Sequence, residues 1–148
     1  MNRIRRILCA SDFSSTSRKA LAAAISLAKT HRAGLIILHA HVPIGPLMPE
    51  RYIESSTWDR VDTDARRWIK SQVAKAADRA KKLGVRASAI MVMGDPATQI
   101  VRVARSKRID LIVVGTHGRR GMSKFFLGSV AERVIATAPC PVMTVRGR

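Results

Sequence analysis

The fold of this chain is constrained most by a regular alternation of short apolar runs with segments of helical periodicity. Apolar runs of four to eight residues occur five times, at 4–10, 35–40, 85–92, 111–114 and 142–145. Between them, apolar residues recur at spacings of three and four, as expected for helices that bury one face. Short strands joined by helical crossovers form parallel sheets. The sequence therefore predicts one doubly wound α/β domain over residues 1–148, with five parallel strands and helices on both faces.

Turn and capping residues predict where the helices begin and end. Gly34 is expected to end the first helix and Gly84 the second, because glycine readily adopts the left-handed backbone that closes a helix. Pro96 suits the first turn of the third helix. The fourth helix is predicted over residues 129–137.

Composition indicates a protein of a reducing compartment. The two cysteines, Cys9 and Cys140, lie in apolar surroundings without metal-binding spacing, which favours buried thiols. No run reaches the ~20 apolar residues that a membrane span needs. The apolar run near the N-terminus ends at Asp12 and is too short for an export signal. We therefore expect a cytoplasmic protein without a membrane partner.

The net charge of +17 points to anionic partners. Five of the ten acidic residues lie between Glu50 and Asp64, so the rest of the chain is strongly basic. Such a field attracts nucleotides, nucleic acid, polyphosphate or anionic lipid, and it also favours solubility. The charge alone does not choose among these.

The segment after the fourth apolar run has the composition of a phosphate-binding loop. Gly115 and Gly118 are followed, after nine residues, by Gly128 and Ser129 at the predicted start of a helix. Glycines can supply unusual backbone angles and bring N–H groups close to phosphate, and a helix start adds positive potential. Three bases between the glycines can neutralise phosphate charge: Arg119, Arg120 and Lys124.

Each of these features also has a simpler interpretation. The two glycines can form an ordinary turn, and the three bases can be a solvated loop. Ser129 can cap the helix in a Ser-x-x-Glu box with Glu132.

Asp12 and the histidines are further candidates. Asp12 follows the first strand and can bind a ribose hydroxyl, help to hold a metal, or cap the first helix. His117 can contact phosphate or be satisfied within its loop. His39 and His41 point the same way from one strand, but a metal site needs more ligands than the sequence offers.

Catalytic signatures are not found in the sequence. There is no Walker A motif, no G-x-G-x-x-G fingerprint, no G-x-S-x-G elbow and no Cys/His pair in a triad context. Nothing supplies a clear general base or nucleophile. The residues favour holding a ligand over transforming it.

Together these motifs resemble the universal stress protein family, in its ATP-binding branch. The resemblance covers nearly the whole chain and includes, besides the glycine loop, the segments at 11–14, 38–40, 94–96 and 140–145. It implies the strand order 3-2-1-4-5, which periodicity alone does not give. Strands one and four are neighbours in that order, so the loops after them would meet at one edge of the sheet.

The resemblance also implies ligand roles. It assigns Asp12 to the ribose and the backbone of Ala40 to adenine, with Ala10 where many members have proline. The remaining residues would hold ribose and phosphates: Val114, Gly115, Gly118, Gly128, Ser129 and Val130. The cofactor implied is ATP, ADP or AMP, with or without Mg²⁺, and hydrolysis would be slow at most.

The family likeness further implies a homodimer through the last strand, Val142–Val145. The function expected is a small regulatory module of the stress response, with an unidentified protein partner. Two alternatives stay open. One is a basic stress protein that binds polyanions or nucleic acid without nucleotide function, and the other is a nucleotide-transferring enzyme on a related scaffold.

Overall fold

The computed structural model describes residues 3–43, 54–117 and 127–147. Strands and helices alternate strictly along these residues. The elements are β1 (Arg6–Ala10), α1 (Ser15–His31), β2 (Gly34–His41), α2 (Ser55–Lys82), β3 (Ala87–Met93), α3 (Pro96–Ser106), β4 (Leu111–Gly115), α4 (Ser129–Thr137) and β5 (Val142–Val145).

The five strands form one parallel sheet in the order β3-β2-β1-β4-β5. The predicted fold class and strand order are therefore confirmed. β1 is central, and its Cys9 lies opposite Ile37 of β2 and Val113 of β4. None of the helices in the described ranges combines the length and the apolar character that a membrane span requires.

Two apolar cores, one on each face of the sheet, hold the layers together. Ile7, Cys9 and Ile37 pack on the face covered by α1 and α2, whereas Leu8 and Ile112 pack on the face covered by α3 and α4. Neighbouring residues of β1 are thus buried on opposite faces, which explains why the strand reads as a continuous apolar run.

The environments of the two cysteines differ. Cys9 is fully buried, and burial raises the pKa of its thiol to about 12. Cys140 is half-buried, and desolvation followed by the charge of Asp110 raises its pKa. The expectation of buried thiols is therefore confirmed for Cys9 and wrong for Cys140.

The helix ends differ from the sequence prediction at α1. The left-handed residue that closes α1 is Arg32, with φ 54°, and Gly34 instead begins β2 by donating its N–H to the carbonyl oxygen of Arg5. Arg108, with φ 51°, is left-handed just after α3. Gly84, with φ 86°, follows α2 as predicted.

The left-handed arginine after α3 yields a stability prediction. A Cβ atom makes this backbone unfavourable, so Arg108→Gly should raise the free energy of unfolding by about 1 kcal/mol. Arg102→Gly, in the exposed middle of α3, should lower it by about 1 kcal/mol because glycine is a poor helix former. Urea denaturation of both variants measures the difference. A loss of stability in both would contradict the assignment of strain to Arg108.

Candidate functional site

The sheet changes its winding direction between β1 and β4. The two strands are paired, yet the chain leaves β1 toward the α1 face and leaves β4 toward the α4 face. The loops that follow these strands therefore separate across a crevice at the carboxyl edge of the sheet. In open α/β sheets, ligands bind at this position.

The loop after β1 is held by hydrogen bonds that involve three serines. The N–H of Ser11 donates to the carbonyl oxygen of Leu38 at 2.9 Å, which attaches the loop to β2. Asp12 Oδ1 accepts from the N–H of Ser14 at 2.9 Å, and Ser14 Oγ accepts from the N–H of Ser17 at 3.1 Å. Ser14 is therefore the cap of α1. The interpretation of Asp12 as that cap is wrong, because its carboxylate accepts from the N–H of the cap residue Ser14 and not from an N–H of the first helical turn.

Aromatic contacts fix the same loop from the α2 side. Phe13 has a left-handed backbone, with φ 63°, and its ring stacks on His39 with centroids 4.9 Å apart. Trp68 of α2 meets the Phe13 ring edge-on at 5.3 Å. His39 Nδ1 also lies 2.8 Å from the carbonyl oxygen of Ser11. The backbone around Asp12 is thus braced on two sides.

Gly115 is required for packing at the end of β4. A Cβ atom there would lie 2.9 Å from Thr16 Cγ2 and 3.3 Å from the Thr16 carbonyl carbon. Its backbone is not left-handed, so the expectation of an unusual backbone angle is wrong for this glycine. The missing side chain instead allows the first turn of α1 to rest against the strand.

Thr116 ties the two ends of the glycine loop together. Its N–H donates to the carbonyl oxygen of Val145 at 2.9 Å, and its own carbonyl oxygen accepts from the N–H of Gly128. A Cβ atom at Gly128 would lie 2.7 Å from that oxygen, so close pairing requires glycine. The loop between these ends includes Gly118, Arg119, Arg120 and Lys124, which lie outside the described residues.

His117 is bonded within this tied stem. Its Nδ1 lies 2.8 Å from Thr116 Oγ1, which fits the interpretation of a histidine satisfied within its loop. Its Nε2 is buried and has no hydrogen-bond partner among the described atoms.

The start of α4 leaves backbone donors available. The cap residue is Gly128, which makes no side-chain cap, and Ser129 is the first helical residue. The predicted capping box between Ser129 and Glu132 is therefore wrong, because the cap position is occupied by Gly128, one residue before Ser129. The amides of Ser129, Val130 and Ala131 belong to the first turn, where no carbonyl of the helix can accept from them. Such a terminus attracts anions.

Small apolar side chains cover the α3/α4 core near the carboxyl edge of the sheet. Ala10, Ala40 and Val130 are half-buried and pack against the core on the α3/α4 face, with Val114 fully buried in it. We refer to these four residues as the apolar ledge. Because its side chains are short, a flat apolar group can lie against it.

The backbone of Ala40 is oriented toward the same crevice. Leu38 accepts from the N–H of Ser11, so its polar backbone groups face β1. Residues two apart in a strand share that direction. Ala40 therefore directs its N–H and carbonyl past the end of β1, where the strand ladder has stopped at the pairing of Ala10 with Leu38.

A salt bridge links α3 to α4 next to the crevice, and sequence reasoning missed it. Asp95 caps α3 through the N–H of Thr98, and Arg133 binds both of its carboxylate oxygens at 2.8 and 2.9 Å. The bonds from Arg133 and then Thr98 hold the pKa of Asp95 far below its usual range. The Gly-Asp-Pro turn signals the cap, but no local pattern points to a partner 38 residues away.

A second missed network connects α2 to the end of β2. His41 Nε2 lies 2.8 Å from Asp62 Oδ1, and Arg66 Nε lies 3.0 Å from Asp62 Oδ2. The rings of His39 and His41 lie on one side of the strand as predicted, with centroids 6.5 Å apart, but each is bonded to a different partner. Across the described ranges, no group of three or more metal-binding side chains is found.

Comparison with known proteins decides the family. The sequence model of the universal stress protein family matches residues 3–146. The chain belongs to the universal stress protein family. A member from Bacillus subtilis, the universal stress protein YxiE, is 36% identical over 145 residues, which cover 95% of this chain and 98% of that protein.

Solved structures agree with this assignment. The structure of the protein MJ0577 superimposes with a TM-score of 0.83 at 26% identity and covers 99% of both chains. A universal stress protein in complex with cAMP superimposes with a TM-score of 0.73 at 25% identity and covers 98% of both chains. The solved structures similar to this chain thus include a universal stress protein crystallised with an adenine nucleotide.

The close contact at Gly115 can be tested by substitution. Gly115→Ala should destabilise this family member by about 1–3 kcal/mol, since the new methyl group overpacks the contact with Thr16. Thr16→Ser removes the nearest atom, Cγ2, and should recover part of the loss in the double variant. Gly34→Ala is the matched control, because its Cβ would meet only the Arg5 carbonyl oxygen at 3.9 Å. Equal losses at Gly34 and Gly115 in urea denaturation would refute the packing explanation.

The salt bridge of Asp95 predicts a pH dependence. Its folded pKa is lowered, so its stabilisation is complete above the unfolded value of about 4 and is lost as the pH falls toward the folded pKa. Asp95→Asn should melt below the native protein at neutral pH, and the gap in melting temperature should narrow below about pH 4. A gap that stays constant across this range would show that the carboxylate charge contributes nothing.

Proposed function

We propose that this universal stress protein binds ATP or ADP in the carboxyl-edge crevice and acts as a regulatory module of the stress response. The observation that carries the proposal is the start of α4. Its amides carry no side-chain cap, and Gly128 holds it beside Thr116 at the end of β4. The start of α4 therefore flanks the crevice on the side opposite the loop that contains Asp12.

The phosphates would bind at the α4 side of the crevice. The amides of Ser129 and Val130 are suitable donors, with the Ser129 hydroxyl as a third. Gly118 and Arg119 would contribute from within the glycine loop, the first by close backbone approach and the second by its charge. The ties through Gly115 and Gly128 hold the ends of this loop in place before any ligand arrives, which reduces the entropy lost on binding.

The nucleoside would bind at the β1/β2 side. Asp12 would accept from a ribose hydroxyl, and its position is fixed by the bond from Ser14 and by the aromatic contacts of Phe13. Adenine would lie on the apolar ledge, with its polar edge at the backbone of Ala40. The family member crystallised with cAMP supports an adenine nucleotide as the ligand class.

Binding, rather than rapid turnover, is the proposed role. Asp12 is the sole carboxylate among the residues proposed to contact the nucleotide, and it is assigned to the ribose. These residues are Ala10, Asp12, Ala40, Val114, Gly115, Gly118, Arg119, Gly128, Ser129 and Val130. A Mg²⁺ ion that accompanies ATP would take most of its ligands from phosphate oxygens and water, as this ion commonly does. Hydrolysis would accordingly be slow at most.

We also propose that two copies associate through β5, Val142–Val145. β5 is an edge strand of the sheet, and Met143 is exposed on it. An edge strand with apolar side chains favours pairing with another chain. Nucleotide binding can reach this strand because Thr116, in the stem of the glycine loop, is bonded to Val145.

The test is calorimetric titration of ATP into the native protein and into Ser129→Asp. A carboxylate at the first position of a helix stabilises the helix but repels phosphate. This variant should therefore unfold no earlier than the native protein and bind ATP at least tenfold more weakly. Ser71→Asp, at an exposed position of α2, is the charge-matched control and should bind normally. Gly128→Val is less suitable, because its side chain would collide with the Thr116 carbonyl.

Asp12→Asn provides a second readout in the same titration. Loss of a charged hydrogen-bond acceptor should weaken the affinity for ATP by about tenfold or more. Sedimentation velocity of the same samples reports whether the protein is dimeric and whether ATP changes that state. A native protein that fails to bind ATP, or variants that bind it as tightly as the native protein, would refute the proposal.

A further inference from the structure

The edge of the sheet opposite the nucleotide crevice collects positive charge. Strands begin at this edge and helices end at it, because all five strands are parallel. Six of the cations there line two adjoining hollows, and we call these six residues the amino-edge cations: Arg5, Arg6, Lys29, Arg32, Lys81 and Arg86.

The two hollows form one open concave surface. The larger has a volume of about 870 Å³ and the smaller about 130 Å³. They share Gly84, Val85 and Arg86 as lining residues, so they are continuous. Arg6 Nη1 also donates to the carbonyl oxygen of Lys107 at 2.9 Å, which brings the end of α3 to the same edge.

Carboxylates are scarce on this edge. Of the nine acidic residues in the described ranges, seven lie in the loops after strands or in the first half of a helix. The two exceptions are Asp110, which accepts the backbone N–H groups of Arg5 and Arg6, and Asp78, which is 3.8 Å from Lys81. The other five amino-edge cations form no ion pair with a described residue. Their charge is available to a partner.

Stabilisation of helix ends explains the positions of only some of the amino-edge cations. Bases in the last turn of a helix interact favourably with its dipole, which accounts for Lys29 and Lys81. Arg5 and Arg86 precede strands and lie in no helix. Arg86 Nη2 does donate to the carbonyl oxygen of Arg32 at the end of α1, at 3.4 Å, but Arg5 has no such contact with a described helix end. Arg32 has the left-handed backbone that favours glycine, and so its cationic side chain is carried at a cost to the fold.

The types of side chain around the amino-edge cations indicate which class of polyanion fits this surface. Four of the six amino-edge cations are arginines, whose guanidinium groups bind phosphate oxygens in pairs. The described aromatic residues, Phe13, Trp58 and Trp68, lie in the β1 loop and the first half of α2, so this edge offers no ring for base stacking. Two exposed large apolar side chains are described at this edge, Leu83 after α2 and Ile135 in the last turn of α4. They belong to helices on opposite faces of the sheet and form no continuous apolar patch, which argues against insertion into lipid.

We propose that the amino-edge cations bind the phosphate backbone of a nucleic-acid duplex, without reading its sequence. The site is distinct from the nucleotide crevice and lies at the other end of the strands. With about four phosphates contacted, affinity should fall roughly 150-fold between 50 and 200 mM salt.

The test is fluorescence anisotropy with a labelled duplex DNA of mixed sequence, titrated at several salt concentrations. Arg5→Gln/Arg86→Gln should reduce the slope of log affinity against log salt by about two. Arg32→Gly should reduce it by about one while its melting temperature stays at or above that of the native protein. This second variant keeps the test valid if the first folds poorly.

The control removes equal charge elsewhere. Arg60→Gln/Lys70→Gln, at exposed positions in the first two-thirds of α2, should leave the slope nearly unchanged. An equal loss in this control would overturn the proposal, because binding would then follow net charge alone. Retention by vesicles of phosphatidylcholine and phosphatidylserine without binding to the duplex would also overturn it.

Discussion

The architecture of the candidate site depends on the parallel pairing of β1 with β4. Because the chain leaves these neighbouring strands toward opposite faces, the loops that follow β1 and β4 diverge and leave a crevice between them at the carboxyl edge of the sheet. The same pairing buries β1 on both faces and so anchors the two cores. A site formed in this way is supported by two neighbouring strands whose central residues are buried, and its position is as stable as the fold itself.

Two glycines of the loop motif are explained by protein packing before any ligand is considered. Gly115 admits the first turn of α1, and Gly128 admits the carbonyl of Thr116. Both contacts hold the ends of a loop whose proposed ligand would sit between them. The glycines of such a motif therefore have two roles, and a substitution there tests folding and binding together. Substitution at Ser129 separates the two effects.

Much of the fold could be predicted from the sequence, because apolar periodicity reflects burial directly. The bounds of α4 and β5 agree with those predicted, and the other elements shift by only a few residues. The end of α1 was mispredicted because Gly34 begins β2. Its conformation is determined by the hydrogen bond of its N–H to Arg5, beside β1, and not by the local preference of glycine for a helix end. The Asp95–Arg133 bridge and the His41–Asp62 pair were missed because each joins distant segments. The strand order came from family resemblance, since periodicity carries no information about which strands are neighbours.

The contact between Trp68 and Phe13 gives the crevice a built-in optical reporter. The indole is 47% exposed and touches the ring that directly follows Asp12. Indole emission is sensitive to its immediate surroundings, so a displacement of the β1 loop that moves Phe13 should change the emission of Trp68, one of the two tryptophans of the chain. The molecule thus carries a natural fluorophore at the rim of its crevice, and events there can be followed without attaching a label.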